Sequence, residues 1–472
     1  MKLHIPAARA AAILLTVVSA GFSGLRAQAP AATSEIAALR AQIQELAQKL
    51  TELERKQQQA ETAAQAAARV TMNDRGLTIG SADAANSIRV RGLVQLDHRA
   101  FFRDGSSGTV NNAFVLRRAR IIAEGQFAKI YSFQIVPEFG GGSPTILDAN
   151  LTLSLAPSLQ VKAGRFKVPV GLEQLQSDAW NFFNERSIVT NLTPNRDLGI
   201  QVGGDVLSGR LNYAAGVFGG VPDAGSTNNT DFDNEKTLAG RLYATPFRNA
   251  KDSALQGLSF GIAGSVGREK TAAGRTAGYR TDGQQTFFTY AATTLADGRN
   301  WRLTPQAEFR RGAFGLLGEY VVSAVNVRAA AAGPKTELRN KAWQLAGGYV
   351  LTGENSAFGG VVPASNFDPA AGTWGAFEVV ARYANLDVDD NAFPTLAAPA
   401  TSANAAKSSA VGVNWYLSKA VRASFDYYHT RFTLPAGAPA VSSTPFLRQN
   451  EQAFITRFQL TFCPEPNAVS VL

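Results

Sequence analysis

The sequence predicts an all-β fold: a transmembrane antiparallel β-barrel of about 16 strands, preceded by a short N-terminal α-helical coiled coil. Apolar and polar residues alternate over many segments between residues 86 and 462. No apolar run long enough for a membrane helix follows the N-terminus, and the mean hydropathy is only -0.08. The alternating region holds about 380 residues, which fits roughly 16 membrane strands with their loops.

The first 29 residues are predicted to be a signal peptide rather than structure. Lys2 and Arg9 precede an apolar run over residues 10–20, and small residues follow at Ala27 and Ala29. This order of a basic stretch, a short apolar run and small residues is typical of export signals, and the run is too short to span a bilayer. We therefore expect cleavage near residues 27–29.

Residues 30–69 are predicted to form a periplasmic coiled-coil helix. Apolar residues step by three and four positions along one seam, namely Ile36, Leu39, Ile43, Leu46, Leu50 and Leu53. This spacing favours pairing with other copies of the chain but leaves the number of copies open. A single amphipathic helix lying on another surface would show the same pattern. Residues 70–85 contain Asn, Asp and Gly and are predicted to be a linker.

Residues 86–462 are predicted to form the barrel, with clear strands over 88–100, 114–125 and 147–155. The final strand places Phe458, Leu460 and Phe462 on one face and Arg457 and Gln459 on the other. A soluble β-sandwich would also alternate, but it would rarely present an apolar band outward over so many strands. Residues 463–472 are predicted to be a tail. They contain Cys463, the single cysteine, so no disulfide forms within the chain.

The segment 171–196 interrupts the alternation and is too long for a tight turn. It carries Trp180, Phe183, Glu185 and Arg186, a composition that argues against disorder. We predict that this segment is an outer loop that folds into the lumen and narrows the pore.

In each alternating strand, every second residue is polar and is predicted to face the lumen; we call this assignment of faces strand parity. These inward positions hold more bases than acids. The bases are Arg89, Arg91, Arg99, Arg118, Arg120, Lys162, Arg241, Arg382, Arg422 and Arg457. The acids are Asp97, Glu124, Asp148, Glu308, Glu319, Glu378 and Asp426. This excess predicts a preference for anions, in line with the formal charge of +9. An open alternative is that these bases pair with carboxylates of the barrel wall and only keep the interior hydrated, without binding a solute.

Enzyme chemistry finds little support in the sequence. His4 is removed with the signal peptide, which leaves His98 and His429, and neither lies in a recognisable catalytic motif. His and Cys residues at metal-ligand spacing and a phosphate-binding GxxxxGK[ST] loop are also absent. The sequence therefore predicts neither an enzyme nor a cofactor.

Several segments, taken together and in order, resemble the phosphate-selective porin O and P family over essentially residues 86–462. They are FVLRRARIIAEG (114–125), LQVKAGRFKVPVGLE (159–173), NERS (184–187), YVLTGE (349–354), WGAFEVVARYANLD (374–387), GVNWYLS (412–418) and FITRFQLTF (454–462). The resemblance implies a homotrimer in the bacterial outer membrane that lets small inorganic or organic anions diffuse passively, with phosphate or polyphosphate as the expected solute.

The resemblance also implies that Arg99, Arg118, Arg120, Lys162 and Arg165 line the anion path, with Asp148 as the accompanying acid. Lys167 and Arg186 are added because they lie at or within the predicted constriction loop. The expected partners are permeating anions, outer-membrane lipid and further copies of the chain, with no nucleic acid. The alternative is a general or carboxylate-permeable nutrient porin without phosphate selectivity, which the coiled coil tethers to peptidoglycan.

Overall fold

The computed structural model describes residues 31–66, 68–73, 76–102, 112–227, 233–250, 252–270, 278–331, 333–438 and 450–462. The predicted signal peptide, residues 1–29, and the predicted tail, residues 463–472, lie outside these ranges, as does Cys463. The chain divides into two compact units, residues 1–67 and residues 68–472.

The described residues of the first unit form one helix, α1 (Ala31–Ala66), which confirms the predicted helical segment. The six seam residues from Ile36 to Leu53 are each 52–64% exposed in the single chain. Exposed i,i+4 ion pairs join Lys49 to Glu45 and Lys56 to Glu52, and such pairs add little stability. Pairing of the seam with another copy therefore stays a prediction. Across the described residues, no helix has both the length and the apolar character needed to cross a bilayer.

The second unit is built mainly from strands. In the part of the chain that the structure describes they are β1 (Arg69–Asn73), β2 (Gly76–Gly80), β3 (Ser87–Phe102), β4 (Ala113–Phe127), β5 (Tyr131–Glu138), β6 (Thr145–Ala156), β7 (Leu159–Lys167), β8 (Arg196–Val206), β9 (Leu211–Phe218), β10 (Thr237–Ala244), β11 (Leu258–Lys270), β12 (Gly278–Arg280), β13 (Thr286–Thr289), β14 (Leu295–Arg311), β15 (Phe314–Arg328), β16 (Thr336–Val350), β17 (Ala376–Asp387), β18 (Ala405–Tyr416), β19 (Val421–Thr433) and β20 (Glu451–Phe462). Short helices are α2 (Leu172–Leu175) and the 3-10 helices Ile188–Leu192 and Asp390–Ala392.

Within the described residues, the strands β3 to β11 and β14 to β20 form a closed antiparallel barrel of 16 strands. The barrel closes where β20 pairs with β3, with Phe462 opposite Gly92. Strands β12 and β13 form a separate two-stranded sheet within the connection between β11 and β14. The predicted fold class and strand number are confirmed.

The linker predicted over residues 70–85 is wrong over its described residues up to Gly80, because β1 and β2 pair there as antiparallel strands. Arg69 likewise belongs to β1 and not to the predicted coiled-coil helix. Strand β2 pairs with the start of β3, with Leu77 opposite Val90, so the wall continues past the end of β20. Val70 and Met72 alternate with polar neighbours, and Asn73 and Gly76, which were taken as linker signals, are facing end residues of the two strands. Two strands of five residues were too short to distinguish from a linker by composition.

The alternation of faces is confirmed on the closing strand. Phe458 and Leu460 are 56% and 47% exposed on the outer surface, whereas Arg457 and Gln459 are buried on the lumen side. An apolar outside and a polar inside are what a bilayer and a hydrated lumen require.

One half of the lumen departs from that pattern. Inward residues of β15 to β17, including Val321, Leu338 and Ala384, pack against the 3-10 helix Ile188–Leu192 and the β13 residues Phe287 and Phe288. This apolar cluster fills the lumen beside these strands. The open part of the pore therefore follows the opposite wall, from β4 to β10, where the polar and basic side chains lie.

Candidate functional site

The connection between β7 and β8, residues 168–195, folds into the barrel as predicted; we call it the constriction loop. Its side chains Phe183, Ile188 and Leu192 are almost fully buried. The backbone N–H of Asn184 donates to Asp426 of β19 at 2.7 Å, and its side-chain amide donates to the carbonyl of Ile455 at 3.0 Å. These contacts hold the loop against the far wall.

A second segment reaches the loop from the opposite end of the barrel. Residues 351–375, which we call the strap, join β16 to β17 at the end where β3 begins. The side-chain amide of Gln176 donates to the carbonyl of Phe358 at 3.0 Å. Gly360 has φ +89°, and a Cβ at this position would lie 2.3 Å from Trp180. Only glycine suits this backbone conformation and this close approach to the indole ring.

The loop and the strap bound a cavity of about 250 Å³ against the wall formed by β4 to β10, which we call the strap-end cavity. Its lining includes Trp180, Phe358 and Gly359. Among the described residues that line it, the bases are Arg120, Lys162, Lys167, Arg196 and Arg241, and the acids are Asp148 and Asp178. Five bases against two acids give this cavity a positive electrostatic potential.

A second cavity, of about 570 Å³, lies on the other side of the constriction loop, and we call it the loop-end cavity. It is bounded by the connections between β9 and β10 and between β11 and β14. The described bases that line it are Arg117, Arg118, Arg186 and Arg280, and the described acids are Glu185 and Asp223. Basic residues therefore exceed acidic residues on both sides of the loop.

Asp178 lies where the two cavities approach each other. Its carboxylate contacts Arg120 at 2.5 Å, Arg118 at 3.2 Å and Arg186. Arg118 and Arg186 line the loop-end cavity, whereas Arg120 and Asp178 line the strap-end cavity. One loop carboxylate thus joins guanidinium groups that face both cavities.

Glu185 forms a second ion-pair cluster between the loop and the wall. It contacts Arg117 at 2.6 Å, Arg457 at 3.1 Å and Arg99 at 3.2 Å. Arg457 also pairs with Asp97 at 2.6 Å, and both of these side chains are fully buried. The cluster fixes the loop to β3, β4 and β20.

The surrounding arginines keep both loop carboxylates ionised. Burial alone would raise the pKa of Asp178, but the charges of Arg118, Arg186 and Arg120 hold this pKa well below its usual range. Burial likewise opposes ionisation of Glu185, and Arg117 and Arg457 lower the pKa of this carboxyl overall. Because the pKa of each carboxyl is lower in the folded state than the ordinary value of about 4, ionisation of these groups stabilises the folded state at neutral pH. This stabilisation is lost only in acid, as the pH falls through the lowered pKa.

The structure brings six of the eight predicted site residues to the two cavities. They are Arg120, Asp148, Lys162 and Lys167 in the strap-end cavity, and Arg118 and Arg186 in the loop-end cavity. Lys167 reaches the lumen because β7 ends at this residue, where its ammonium donates to the carbonyl of Gln176 at 2.8 Å. Lys162 lies over the ring of Phe166 at 5.4 Å.

Two predicted residues line neither cavity. Arg99 is engaged by Asp97 and Glu185, so its guanidinium anchors the loop instead of facing the path. Arg165 lies opposite Ala149 and Leu198 in the sheet register and is buried. Gly164, which precedes it with φ +124°, approaches the carbonyl of Ala149 so closely that a Cβ would lie 2.2 Å away. Strand parity could not place Arg165, because this glycine distorts the strand.

Arg117, Arg196 and Arg280 line the cavities but were not predicted. A β-bulge in β4, where Gln95 pairs with Arg118 and Leu96 with Leu116, turns Arg117 inward beside Arg118. Arg196 pairs with Asp148 at 3.0 Å across the cavity wall. The Arg-Arg pair at 117 and 118 was visible in the sequence, but a bulge was needed to bring both residues to one face.

Part of the alternative interpretation is correct, because many lumen bases pair with carboxylates. Arg91 pairs with Glu124 at 2.9 Å, and Arg382 pairs with Asp282 at 2.9 Å and with Glu173 at 3.3 Å. Over the described part of the chain, no group of three or more His, Cys, Asp or Glu side chains is arranged to hold a metal ion.

A closed 16-stranded barrel with an apolar outside and a loop-constricted polar lumen defines an outer-membrane porin. The sequence pattern of the family described as "Phosphate-selective porin O and P" matches residues 88–462, and the chain belongs to this family. It is 26% identical over 387 residues to Porin O of Pseudomonas aeruginosa, an alignment that covers 75% of this chain and 84% of that protein. The fold is that of a channel protein of the bacterial outer membrane.

One solved structure with a TM-score above 0.5 shows a similar fold. The outer membrane channel DcaP of Acinetobacter baumannii aligns with a TM-score of 0.51 at 10% identity, covering 80% of this chain and 98% of DcaP. OmpT of Vibrio cholerae aligns with a TM-score of 0.49 at 13% identity, covering 80% of this chain and 98% of OmpT.

Proposed function

We propose that this porin conducts small anions by passive diffusion, with phosphate or polyphosphate as the preferred solute. The observation that carries the proposal is the excess of five bases over two acids in the strap-end cavity, directly beside the constriction loop. Phosphate is the solute in the name of the family, and guanidinium groups match phosphate oxygens through paired N–H donors.

An anion entering from the loop end first meets Arg117, Arg118, Arg186 and Arg280. It then passes Asp178 and reaches Arg120, Lys162, Lys167, Arg196 and Arg241. Successive basic side chains compensate for the water that the anion loses at the constriction, and confinement reduces screening by salt. Movement follows the concentration gradient, and no side chain undergoes a covalent step.

The alternative, a nutrient porin without phosphate selectivity, is favoured by the pairing of the constriction arginines. Asp178 and Glu185 already engage guanidinium groups that would otherwise bind phosphate in a bidentate manner. In this alternative, the remaining positive charge raises the conductance of all small anions, including carboxylates, to a similar degree.

Titration of phosphate into the chloride current of single channels in a planar bilayer separates the two proposals. We expect phosphate to reduce the chloride current in a saturable manner, at concentrations at least about tenfold lower than acetate requires, because phosphate offers more oxygen acceptors than a carboxylate does to several neighbouring guanidinium groups. A tenfold difference corresponds to about 1.4 kcal/mol. Equal block by phosphate and acetate supports the unselective alternative.

We infer that residues 1–29 are removed on export, that the chain assembles as a homotrimer, and that α1 lies in the periplasm. Residues 31–66 then form the coiled coil, residues 81–85 remain of the predicted linker, and residues 86–462 span the membrane. The exposed seam of α1 supports pairing, since apolar residues at this spacing are covered by equivalent residues of other copies. The same helix is suited to contact peptidoglycan and tether the barrel.

Deletion of residues 34–68 is expected to leave single-channel conductance within about 20% of the wild-type value, because strand β1 begins only at Arg69 and the barrel keeps its own closure. Trimer stability in detergent and retention by peptidoglycan sedimentation are expected to fall. A collapse of conductance would show that the helix contributes to the pore.

A further inference from the structure

The three arginines around Asp178 are each held by contacts that do not involve its carboxylate. Arg120 pairs with Glu138 at 2.5 Å, and Arg118 donates to the side-chain carbonyl of Gln95 at 2.6 Å. Arg186 donates to the carbonyl of Gln176 at 2.7 Å. The guanidinium groups therefore converge on one point independently of the carboxylate that occupies it.

The main chain at Asp178 is also held without the carboxylate. The carbonyl of Asp178 accepts a hydrogen bond from Gln95 at 3.2 Å, and Gln176 donates to the carbonyl of Trp180 at 2.9 Å. Farther along the loop, Glu185 and Asn184 provide separate anchors to the wall. These contacts would hold the constriction loop in place even if Asp178 lost its charge.

Three preorganised guanidinium groups form an anion site, and a carboxylate is a chemical analogue of the oxyanions that such a site binds. Asp178 Oδ2 contacts Arg120, while Oδ1 contacts Arg118 and Arg186. These arginines face both cavities, so an anion that moves between the cavities passes this point.

We propose that Asp178 is a built-in competitor that occupies the three-arginine site and is displaced by each permeating anion. This inference rests on the proposed anion conduction. Without a competitor, three converging guanidinium groups would hold an oxyanion and slow its release. With Asp178 in place, the carboxylate replaces a departing anion, so binding is weak enough for transport. Asp178 is in this view a specificity-determining residue that sets how tightly the constriction binds anions.

The test measures the phosphate concentration that halves the chloride current in planar bilayers. Asp178→Asn removes the competing charge with little change in shape, and we expect half-block at about tenfold lower phosphate, with a larger shift at low salt. Asp178→Glu keeps a carboxylate and is expected to stay within about twofold of the wild type. Glu173→Gln is the matched control, since Glu173 lies on the same loop, pairs with Arg382 and is not among the residues that line either cavity.

Unchanged or weaker block in Asp178→Asn overturns the inference, and so does an equal gain in Glu173→Gln, because loosening of the loop would then explain both results. Asp178→Ser is measured alongside. If neither neutral variant forms a heat-resistant barrel, the arginines are not positioned independently of the carboxylate, and the inference fails. A wild-type channel that lacks anion preference instead contradicts the proposed function, whatever the variants do.

Discussion

Replacement of both Lys162 and Arg241 by glutamate is expected to convert the channel from anion to cation preference. The double variant changes the strap-end cavity from five bases and two acids to three bases and four acids. A charge about 6 Å from a permeating ion contributes about 1.4 kcal/mol at an effective dielectric constant of about 40, which corresponds to roughly tenfold in ion occupancy. The two charge reversals together therefore outweigh the modest anion preference of the wild-type channel.

The measurement is the reversal potential of the double variant in a potassium chloride gradient across a planar bilayer. Arg268→Glu combined with Arg339→Glu is the matched control, because these two side chains are 67% and 61% exposed and lie outside both cavities. The control is expected to keep the wild-type sign. If both double variants shift the reversal potential equally, overall charge and not the cavity determines selectivity.

Replacement of Glu185 by glutamine is expected to produce the largest loss of stability among single substitutions in the loop. The substitution leaves Arg117, Arg99 and Arg457 with one fewer buried counter-charge. Loss of one partner from a buried ion pair typically costs about 3–5 kcal/mol, since the remaining charge stays desolvated. The loop would also lose its fixed position, and single-channel current noise should increase.

The stability change can be measured as the urea concentration at which the purified barrel loses its heat-modifiable mobility on a gel. Glu337→Gln provides the control, because Glu337 pairs with the exposed Arg339 and such pairs contribute less than about 1 kcal/mol. Equal midpoints for the two variants would mean that the Glu185 cluster does not anchor the loop.

The barrel itself could be predicted because a bilayer imposes a simple rule on each strand. Phe458 and Leu460 must face lipid, so Arg457 and Gln459 must face the lumen, and local alternation is enough to assign them. The constriction loop was also predictable, since residues such as Trp180 and Phe183 break the alternation without the composition of a disordered segment.

Other features depend on contacts between distant segments and leave no local pattern. Val321 and Leu338 face a lumen that is apolar only because the 3-10 helix Ile188–Leu192 and the β12–β13 hairpin pack there. The meeting of Gln176 with Phe358 of the strap likewise joins residues far apart in sequence. Periodicity within a strand cannot show which loop will cover its inner face.

Only part of the site could be predicted, because some of its contacts join segments that are far apart in the sequence. Residue type and parity brought Arg118, Arg120, Asp148 and Lys162 to the lumen. The partner of each base could not be predicted, because Asp178 and Glu185 reach their arginines only through the fold of the loop. A bulge at Arg117 and a distorted strand at Gly164 also changed which neighbours face inward.

An excess of basic side chains at the constriction is expected to make the wild-type pore favour anions. The most direct test is the reversal potential of the wild-type channel between potassium chloride solutions that differ tenfold in concentration. A potential with the sign of the chloride equilibrium potential is the expected result, with a magnitude that falls as the mean ionic strength rises. A potential with the sign of the potassium equilibrium potential would show that the pore prefers cations and would contradict anion conduction through the basic constriction.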